Sequence, residues 1–203
     1  MSVLVFADSN NGAIAKSAQE AIHYGSKIGE TTVITYGDVD DSALAALGSY
    51  GASKVLINKT ITEFDGQKLS KLVRAAAESA EVIVFAMDFS GKSISSRVAA
   101  GLNAGMVSGA LSLPDTSNGF IIKKAVFSGK AFANCKINSA KKVIALMPNS
   151  IQVETSDAMA TVEEFSADMG DSTLSVKEFK AKGGGGVLPV SYTHLTLPTT
   201  PYV

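Results

Sequence analysis

The residues of this chain that could support chemistry lie in two short loops. The first, Asp8-Ser9-Asn10-Asn11-Gly12, follows an apolar run and precedes a segment with helical spacing. Backbone N–H groups of such small polar residues could wrap a phosphate at the N-terminus of a helix. Turns and helix N-caps use the same residue types. We favour the turn, and a phosphate-binding loop is the alternative.

The second loop, Asp88 to Ser93, also follows an apolar run and opens a helical segment. Its Gly91-Lys92-Ser93 matches the end of a P-loop, but that motif needs a further glycine where this chain has Ala86. We therefore interpret Ser90 as the N-cap of a helix. Arg97, about two helical turns further on, is expected to face solvent or to pair with a phosphate or a partner's carboxylate.

The other reactive side chains predict no catalytic, cofactor-binding or metal-binding residue. The histidines are His194 and His23, which follows Ile22 on a predicted helix and is expected to be partly exposed. A Ser-His-Asp site would lack the G-x-S-x-G turn, and no Cys/His cluster could hold a metal. Cys135 is interpreted as a packed thiol and not as a nucleophile.

Charge along the chain is balanced. The sequence has 18 Lys and Arg against 19 Asp and Glu, and it shows no basic stripe, so a nucleic-acid-binding surface is not expected. Lys123-Lys124 and Lys141-Lys142 fall in or beside predicted strands and are interpreted as edge or loop charges. Glu163-Glu164 is interpreted as part of the solvated face of a helix.

Five apolar runs predict the strands that position the two loops. They do not alternate apolar and polar residues, which is typical of strands buried on both faces of a parallel sheet. The runs are Val3–Ala7, Val33–Tyr36, Val55–Ile57, Val82–Ala86 and Val143–Met147. Helical segments separate most of them. The alternation predicts an α/β fold with a doubly wound, mostly parallel sheet and helices on both faces.

Apolar stripes with the helical period predict the helices. They run from Ile14 to Ile28 with Gly29 as C-cap, from Leu69 to Ala80, and from Ile94 to Leu102 with Gly105 as the stop; a shorter helix covers Ser42 to Leu47 before Gly48. In the later half, Val107–Leu113 and Ile121–Phe127 predict an antiparallel element. A helix is predicted near Ala158–Phe165 and a strand near Leu174–Phe179.

Three features bear on the cellular compartment. No apolar run approaches the roughly 20 residues that cross a bilayer, and no positively charged segment precedes Val3. The single cysteine cannot form an intrachain disulfide. The sequence therefore predicts a cytoplasmic protein without membrane insertion.

The last 21 residues differ from all that precede them. Residues 183–203 begin with four glycines and contain no Asp, Glu, Lys or Arg, and their Thr and Pro residues cannot build a core. We therefore expect an α/β domain over residues 1–182, followed by a disordered or loosely added extension over residues 183–203. The extension resembles translated sequencing-adapter read-through; a natural Thr/Pro-rich extension is the alternative.

Several segments occur in the order and spacing of a known family. They are Val3–Ala7 with its Asn-Gly loop, Tyr50–Leu56, Gly91-Lys92, Arg97–Leu102, and Phe127–Ala131 leading into Val143-Ile144. Residues 2 to 180 thereby resemble the N-terminal α/β domain of electron transfer flavoprotein alpha subunits, in the group that includes nitrogen-fixation-associated homologues. Its sheet is of the adenine nucleotide alpha hydrolase type. Ser96 and Lys130 depart from the Pro and Asn that are frequent in the family.

The resemblance implies a non-catalytic scaffold that packs on a beta subunit in a heterodimer. FAD is then held by a C-terminal domain that this chain lacks, because the family's Gly-Gly-Arg-Gly signature does not occur and Gly183–Gly186 has no Arg. Electrons pass from flavin dehydrogenases, such as the acyl-CoA dehydrogenases of fatty acid beta-oxidation, to a quinone oxidoreductase or related acceptor. The alternative is a flavodoxin-like or adenine-nucleotide-binding enzyme that uses loops 8–12 and 88–93 as two halves of a phosphate site; a plain interaction module is a third hypothesis.

Overall fold

A nine-stranded, mostly parallel sheet forms the centre of the protein. The computed structural model describes residues 1–10 and 12–174, and Met1–Ser172 form one compact unit. The strands are β1 (Ser2–Phe6), β2 (Ser9–Asn10), β3 (Ala13–Ile14), β4 (Glu30–Tyr36), β5 (Ala52–Asn58), β6 (Val82–Ala86), β7 (Gly105–Ala110), β8 (Phe120–Val126), β9 (Ala131–Ile137), β10 (Lys142–Leu146) and β11 (Thr161–Glu164). The order along the large sheet is β11-β5-β4-β1-β6-β10-β7-β8-β9, while β2 and β3 form a separate ribbon.

Helices cover both faces of this sheet. Helices α1 (Lys16–Ser26) and α2 (Asp41–Ala45), with the 3-10 turn Ala46–Tyr50, lie on one face, and α3 (Gly66–Ala76) and α4 (Phe89–Gly101) lie on the other. Strand β1 explains why: Val3 and Val5 join the core under α1, whereas Leu4 and Phe6 join the core under α3 and α4. Since neighbouring side chains of a strand point to opposite faces, a continuous apolar run needs cover on both. The predicted doubly wound α/β fold is confirmed.

The antiparallel element in the later half is also confirmed, and it is larger than predicted. Strand β8 pairs antiparallel with β7 and with β9. Sequence reasoning missed β9, because its residues alternate between half-buried and exposed up to the buried Ile137 and so form no apolar run.

The predicted helix near Ala158–Phe165 is wrong. The chain there forms β11, which lies parallel to β5 with Val162 opposite Val55. Thr161 and Val162 are β-branched, and the open edge of β5 offers them a full ladder of hydrogen bonds. Glu163 therefore lies on an edge strand, where its Oε1 is 2.9 Å from Lys54 Nζ, and not on a helix face. Of the strand predicted near Leu174–Phe179, residues 175–179 lie outside the described residues.

Two glycines predicted to end helices have other structural roles. Helix α1 ends at Ser26, before Gly29. Position 29 has no room for a side chain, because a Cβ there would lie 2.0 Å from the Met1 carbonyl oxygen. Helix α4 ends at Gly101, and the left-handed residue that follows is Asn103 (φ 50°). Gly105 opens β7, where a Cβ would lie 2.7 Å from Ile137 Cγ2.

The short helix predicted from Ser42 to Leu47 is present as α2 and the 3-10 turn. It ends at Gly51 (φ 99°) and not at Gly48. A Cβ on Gly48 would lie 2.4 Å from the backbone nitrogen of Ala160, so this glycine lets the chain before β11 cross closely over the turn.

The four lysines interpreted as edge or loop charges differ in role. Lys141 Nζ donates to the carbonyl oxygens of Ala77, Glu78 and Ala80, just beyond the end of α3, where cations are favoured. Lys142 Nζ lies 5.4 Å from the centroid of the Phe120 ring. Lys123 and Lys124 lie on β8, which is flanked by strands on both sides, so they are not edge residues.

Candidate functional site

The two polar loops meet at one point of the sheet. Strand β1 lies between β4 and β6 in the sheet. After β1 the chain adds β4 and β5 on one side, and it then returns to add β6 and β10 on the other side of β1, so the strand order reverses between β1 and β6. In doubly wound sheets, ligands bind in the crevice at the carboxyl ends of strands where the order reverses. Asp8 follows β1 and Asp88 follows β6, so the sequence-predicted loops 8–12 and 88–93 are brought together at this switch point.

The Asp8 carboxylate is held by two hydroxyl groups. Tyr36 Oη donates to Oδ1 at 2.8 Å, and Ser90 Oγ donates to Oδ2 at 2.6 Å. Burial, followed by the charge of Asp8 and its hydrogen bond, raises the pKa of Tyr36 well above its ordinary value. The phenol therefore stays protonated at physiological pH and remains a donor to Asp8.

The Asp88 carboxylate is also satisfied within the chain. Its Oδ1 accepts from the Gly91 backbone N–H at 2.8 Å, which makes Asp88 the N-cap of α4, and its Oδ2 accepts from Ser17 Oγ at 2.8 Å. The prediction of Ser90 as N-cap is wrong: Ser90 lies inside α4 and bonds Asp8 instead. Asp88 takes the cap because its side chain reaches the orphan N–H three residues on.

Gly91 has a packing role. A Cβ on this residue would lie 1.9 Å from the carbonyl oxygen of Ala86, the last residue of β6. The glycine therefore lets the first turn of α4 lie directly on the end of the strand. Packing therefore accounts for the glycine of Gly91-Lys92-Ser93 without a phosphate-binding role.

The donors at the switch point hold carboxylates and not a ligand. The hydroxyls of Ser17, Tyr36 and Ser90 all donate to Asp8 or Asp88. A phosphate placed here would face two carboxylates, and like charges repel strongly at short range. The geometry therefore does not favour the alternative of a phosphate site.

The first loop is a turn, as favoured from the sequence. Ser9–Asn10 pairs antiparallel with Ala13–Ile14 in a two-stranded ribbon, with Gly12 at a φ of 77°. Ser9 Oγ donates to the Tyr36 carbonyl oxygen, which ties the ribbon to the end of β4. Helix α1 begins only at Lys16, with no side-chain cap from this loop.

The remaining candidate residues do not gather at the switch point. Arg97 is exposed and is in no ion pair within the described residues. Cys135 is half-buried against the core, as a packed thiol would be. His23 is buried, with 6% of its surface exposed, so the prediction of partial exposure is wrong. It lies on the side of α1 that packs against the 3-10 turn. His194 lies outside the described residues.

We expect the protein to lose stability in acid because His23 is buried. Burial and, next, the charge of Lys27 lower the pKa of His23 below 6.5, while Glu154 acts in the opposite direction. The unfolded state therefore binds the proton more readily, so the stability that the neutral ring gives is present above about pH 6.5 and is lost as pH falls below it. Between about pH 8 and pH 5, the melting temperature of the wild type should fall further than that of His23→Gln. Equal slopes for the two proteins would contradict this.

Sequence reasoning missed the contact that joins α1 to the loop after β10. Glu20 is buried, and its carboxylate accepts from the backbone N–H groups of Asn149 (2.8 Å), Ser150 (2.8 Å) and Ile151 (3.1 Å). The available signal was a glutamate between Ala18 and Ala21 on an apolar helical stripe. Burial of a carboxylate requires such partners.

Two kinds of site are absent from the part of the chain that the structure describes. Within residues 1–10 and 12–174, no group of three or more His, Cys, Asp or Glu side chains could hold a metal ion. Over the same residues, no helix has the length and apolar character needed to span a bilayer.

Comparison with known proteins identifies the family. A family model described as the electron transfer flavoprotein domain matches residues 3–169. The electron transfer flavoprotein subunit alpha of Bacillus subtilis is 25% identical in an alignment of 194 residues that covers 91% of this chain and 60% of that relative. The subunit alpha of Pseudomonas aeruginosa is 28% identical in an alignment of 187 residues that covers 88% of this chain and 59% of the relative. The chain thus spans about three fifths of the length of these curated relatives. Because the family match covers most of its residues, the chain belongs to the electron transfer flavoprotein domain family.

Proposed function

We propose that this chain is the scaffold of the alpha subunit of a heterodimeric electron transfer flavoprotein. The observation that carries the proposal is the family match over residues 3–169, together with relatives that are themselves named as alpha subunits. In this proposal the α/β domain packs on a beta subunit and performs no bond chemistry of its own.

The flavin is assigned to a part of the alpha subunit outside this domain. A flavin dinucleotide carries a pyrophosphate, and the switch point opposes it with the carboxylates of Asp8 and Asp88, whose hydrogen bonds are already made. The residues at the switch point therefore do not fit the pyrophosphate of FAD. The curated relatives are longer than this chain, and we place FAD in the length that they have in addition.

The complex would be a cytoplasmic electron carrier. It would take electrons from flavin dehydrogenases, such as acyl-CoA dehydrogenases, and pass them to a quinone oxidoreductase or related acceptor. The 203-residue chain contributes the platform on which the flavin-bearing part and the beta subunit are held.

Two measurements on the purified 203-residue chain test this function. Expressed alone, the chain should show no stoichiometric flavin absorbance, even after incubation with FAD. Expressed with the beta subunit from the same source, it should elute from gel filtration as a one-to-one complex. The alpha and beta subunits of the Bacillus subtilis relative, purified in the same way, give the flavin-containing control. A stoichiometric flavin on the isolated chain, or failure to form the complex, would overturn the proposal.

A further inference from the structure

The hairpin formed by β8 and β9 has one covered and one open face. Phe120 and Ile122 are buried in the core on the α1 side. The register places Lys123 opposite Asn134 and Ile121 opposite Lys136 on the other side. There Lys123, Phe132, Asn134 and Lys136 are all exposed, and we call these four residues the hairpin face. Within the described residues, no helix covers them.

Two phenylalanines at this end of the sheet are unusually exposed. Phe132 on the hairpin face is 63% exposed, and Phe127 at the tip of the hairpin is 79% exposed. Lys123 Nζ lies 4.3 Å from the centroid of the Phe132 ring, a cation–π distance that holds the charge above the ring. Aromatic residues are enriched at protein-binding surfaces relative to the rest of a protein surface.

The fold also gathers unpaired positive charge here. Residues 116–153 contain six of the chain's 18 Lys and Arg residues and none of its 19 Asp and Glu residues. The hairpin carries four of the six: Lys123, Lys124, Lys130 and Lys136. None of these four is in an ion pair within the described residues. The hairpin is therefore locally basic, although the charge of the whole chain is balanced.

The turn that joins the two strands is strained. Phe127 (φ 51°) and Ser128 (φ 53°) are both left-handed without being glycine, and the Gly129 N–H donates to the Val126 carbonyl oxygen at 3.1 Å. Turns of this kind strongly favour Asn-Gly at the two central positions. Backbone strain in a folded protein is often found at binding sites. Here it accompanies the display of a phenyl ring.

We propose that the hairpin face and Phe127 form the surface on which an acidic segment of the beta subunit docks. This inference rests on the proposed function and names the contact surface that it requires. The lysines favour an acidic partner, because a second copy of this chain that docked through the same face would place its own lysines against them. Lysines that merely protect an exposed sheet edge from aggregation would not require two exposed phenylalanines beside them.

Binding of the 203-residue chain to the purified beta subunit tests the proposal by calorimetry at low and high NaCl. Since exposed charge pairs are screened by salt, the wild-type Kd should rise by about tenfold or more with salt. The double variant Lys123→Glu/Lys136→Glu should weaken binding roughly 100-fold at low salt. Phe132→Ser should weaken it roughly 30-fold. All substituted side chains are exposed, so the thermal melts should match that of the wild type.

Two control variants isolate the docking role. Lys16→Glu/Lys59→Glu makes the same change in net charge at exposed lysines away from the hairpin, and its Kd should stay within about threefold of wild type. Ser128→Gly relieves the turn but keeps Phe127, and it should also bind as wild type. If the beta subunit binds but the hairpin variants bind as tightly as the controls, or if anionic phospholipid vesicles and not the beta subunit show the hairpin dependence, this inference is wrong. No binding of wild type at either salt concentration would overturn the proposed function itself, and this inference with it.

Discussion

In a Gly91→Ala variant we expect the free energy of unfolding to fall by about 3 kcal/mol, the upper end of the range for overpacking. The added Cβ would lie 1.9 Å from the Ala86 carbonyl oxygen and 3.1 Å from its carbonyl carbon. Both atoms belong to the backbone at the end of β6, in the middle of the sheet, so no flexible side chain can move aside. Helix propensity favours alanine by only about 1 kcal/mol. Urea unfolding followed by circular dichroism measures the difference.

Gly29→Ala is the matched control. Its Cβ would lie as close, 2.0 Å, to a backbone carbonyl oxygen, that of Met1. Met1, however, is exposed and precedes β1, so it can shift, and the cost should be less than about 1 kcal/mol. If Gly91→Ala were no more destabilising than Gly29→Ala, the close packing of α4 on β6 would not be the reason for this glycine.

The second large effect is expected at Glu20. Replacing it by alanine removes the acceptor of three backbone N–H groups, from Asn149 to Ile151, and should cost about 2 kcal/mol, since each donor loses a bond to a charged group but partly regains water. Glu20→Gln keeps one acceptor oxygen but turns an NH₂ group toward N–H donors, so it should also destabilise.

Hydrogen exchange separates this role from a general loss of stability. The amides of residues 149–151 should exchange faster in Glu20→Ala under conditions where the core strands remain protected. Glu81→Gln, at an exposed glutamate, should change the free energy of unfolding by less than about 0.5 kcal/mol. Unchanged exchange at residues 149–151 would show that Glu20 does not hold the loop.

The strands that are buried on both faces could be predicted from the sequence because their pattern has a single explanation. Val82–Ala86 is apolar throughout, and the structure makes it β6 with the same bounds. The same rule fails for β9 and β11, where one face or an edge is open and the apolar signal is halved. Their formation depends on which neighbour has an unpaired edge, which is a property of the assembled sheet.

The two polar loops could be predicted as neighbours, but not the bonds between them. Each loop directly follows an apolar run, so each is expected at the carboxyl end of a parallel strand, the edge of the sheet where ligands bind. That Ser90 would bond Asp8 and not cap α4 depends on side-chain reach across two strands. Likewise Lys141 and Glu20 bind backbone groups far away in sequence, and no local pattern shows this.

The position of β10 constrains how the molecule can be assembled. This strand comes after β7, β8 and β9 in the chain, yet it lies between β6 and β7 and is the link between the two halves of the sheet. On a ribosome, the antiparallel end of the sheet is synthesised before the strand that attaches it to the parallel end. A nascent chain therefore cannot join β6 to β7 through the hydrogen bonds of one sheet until Lys142–Leu146 has been synthesised.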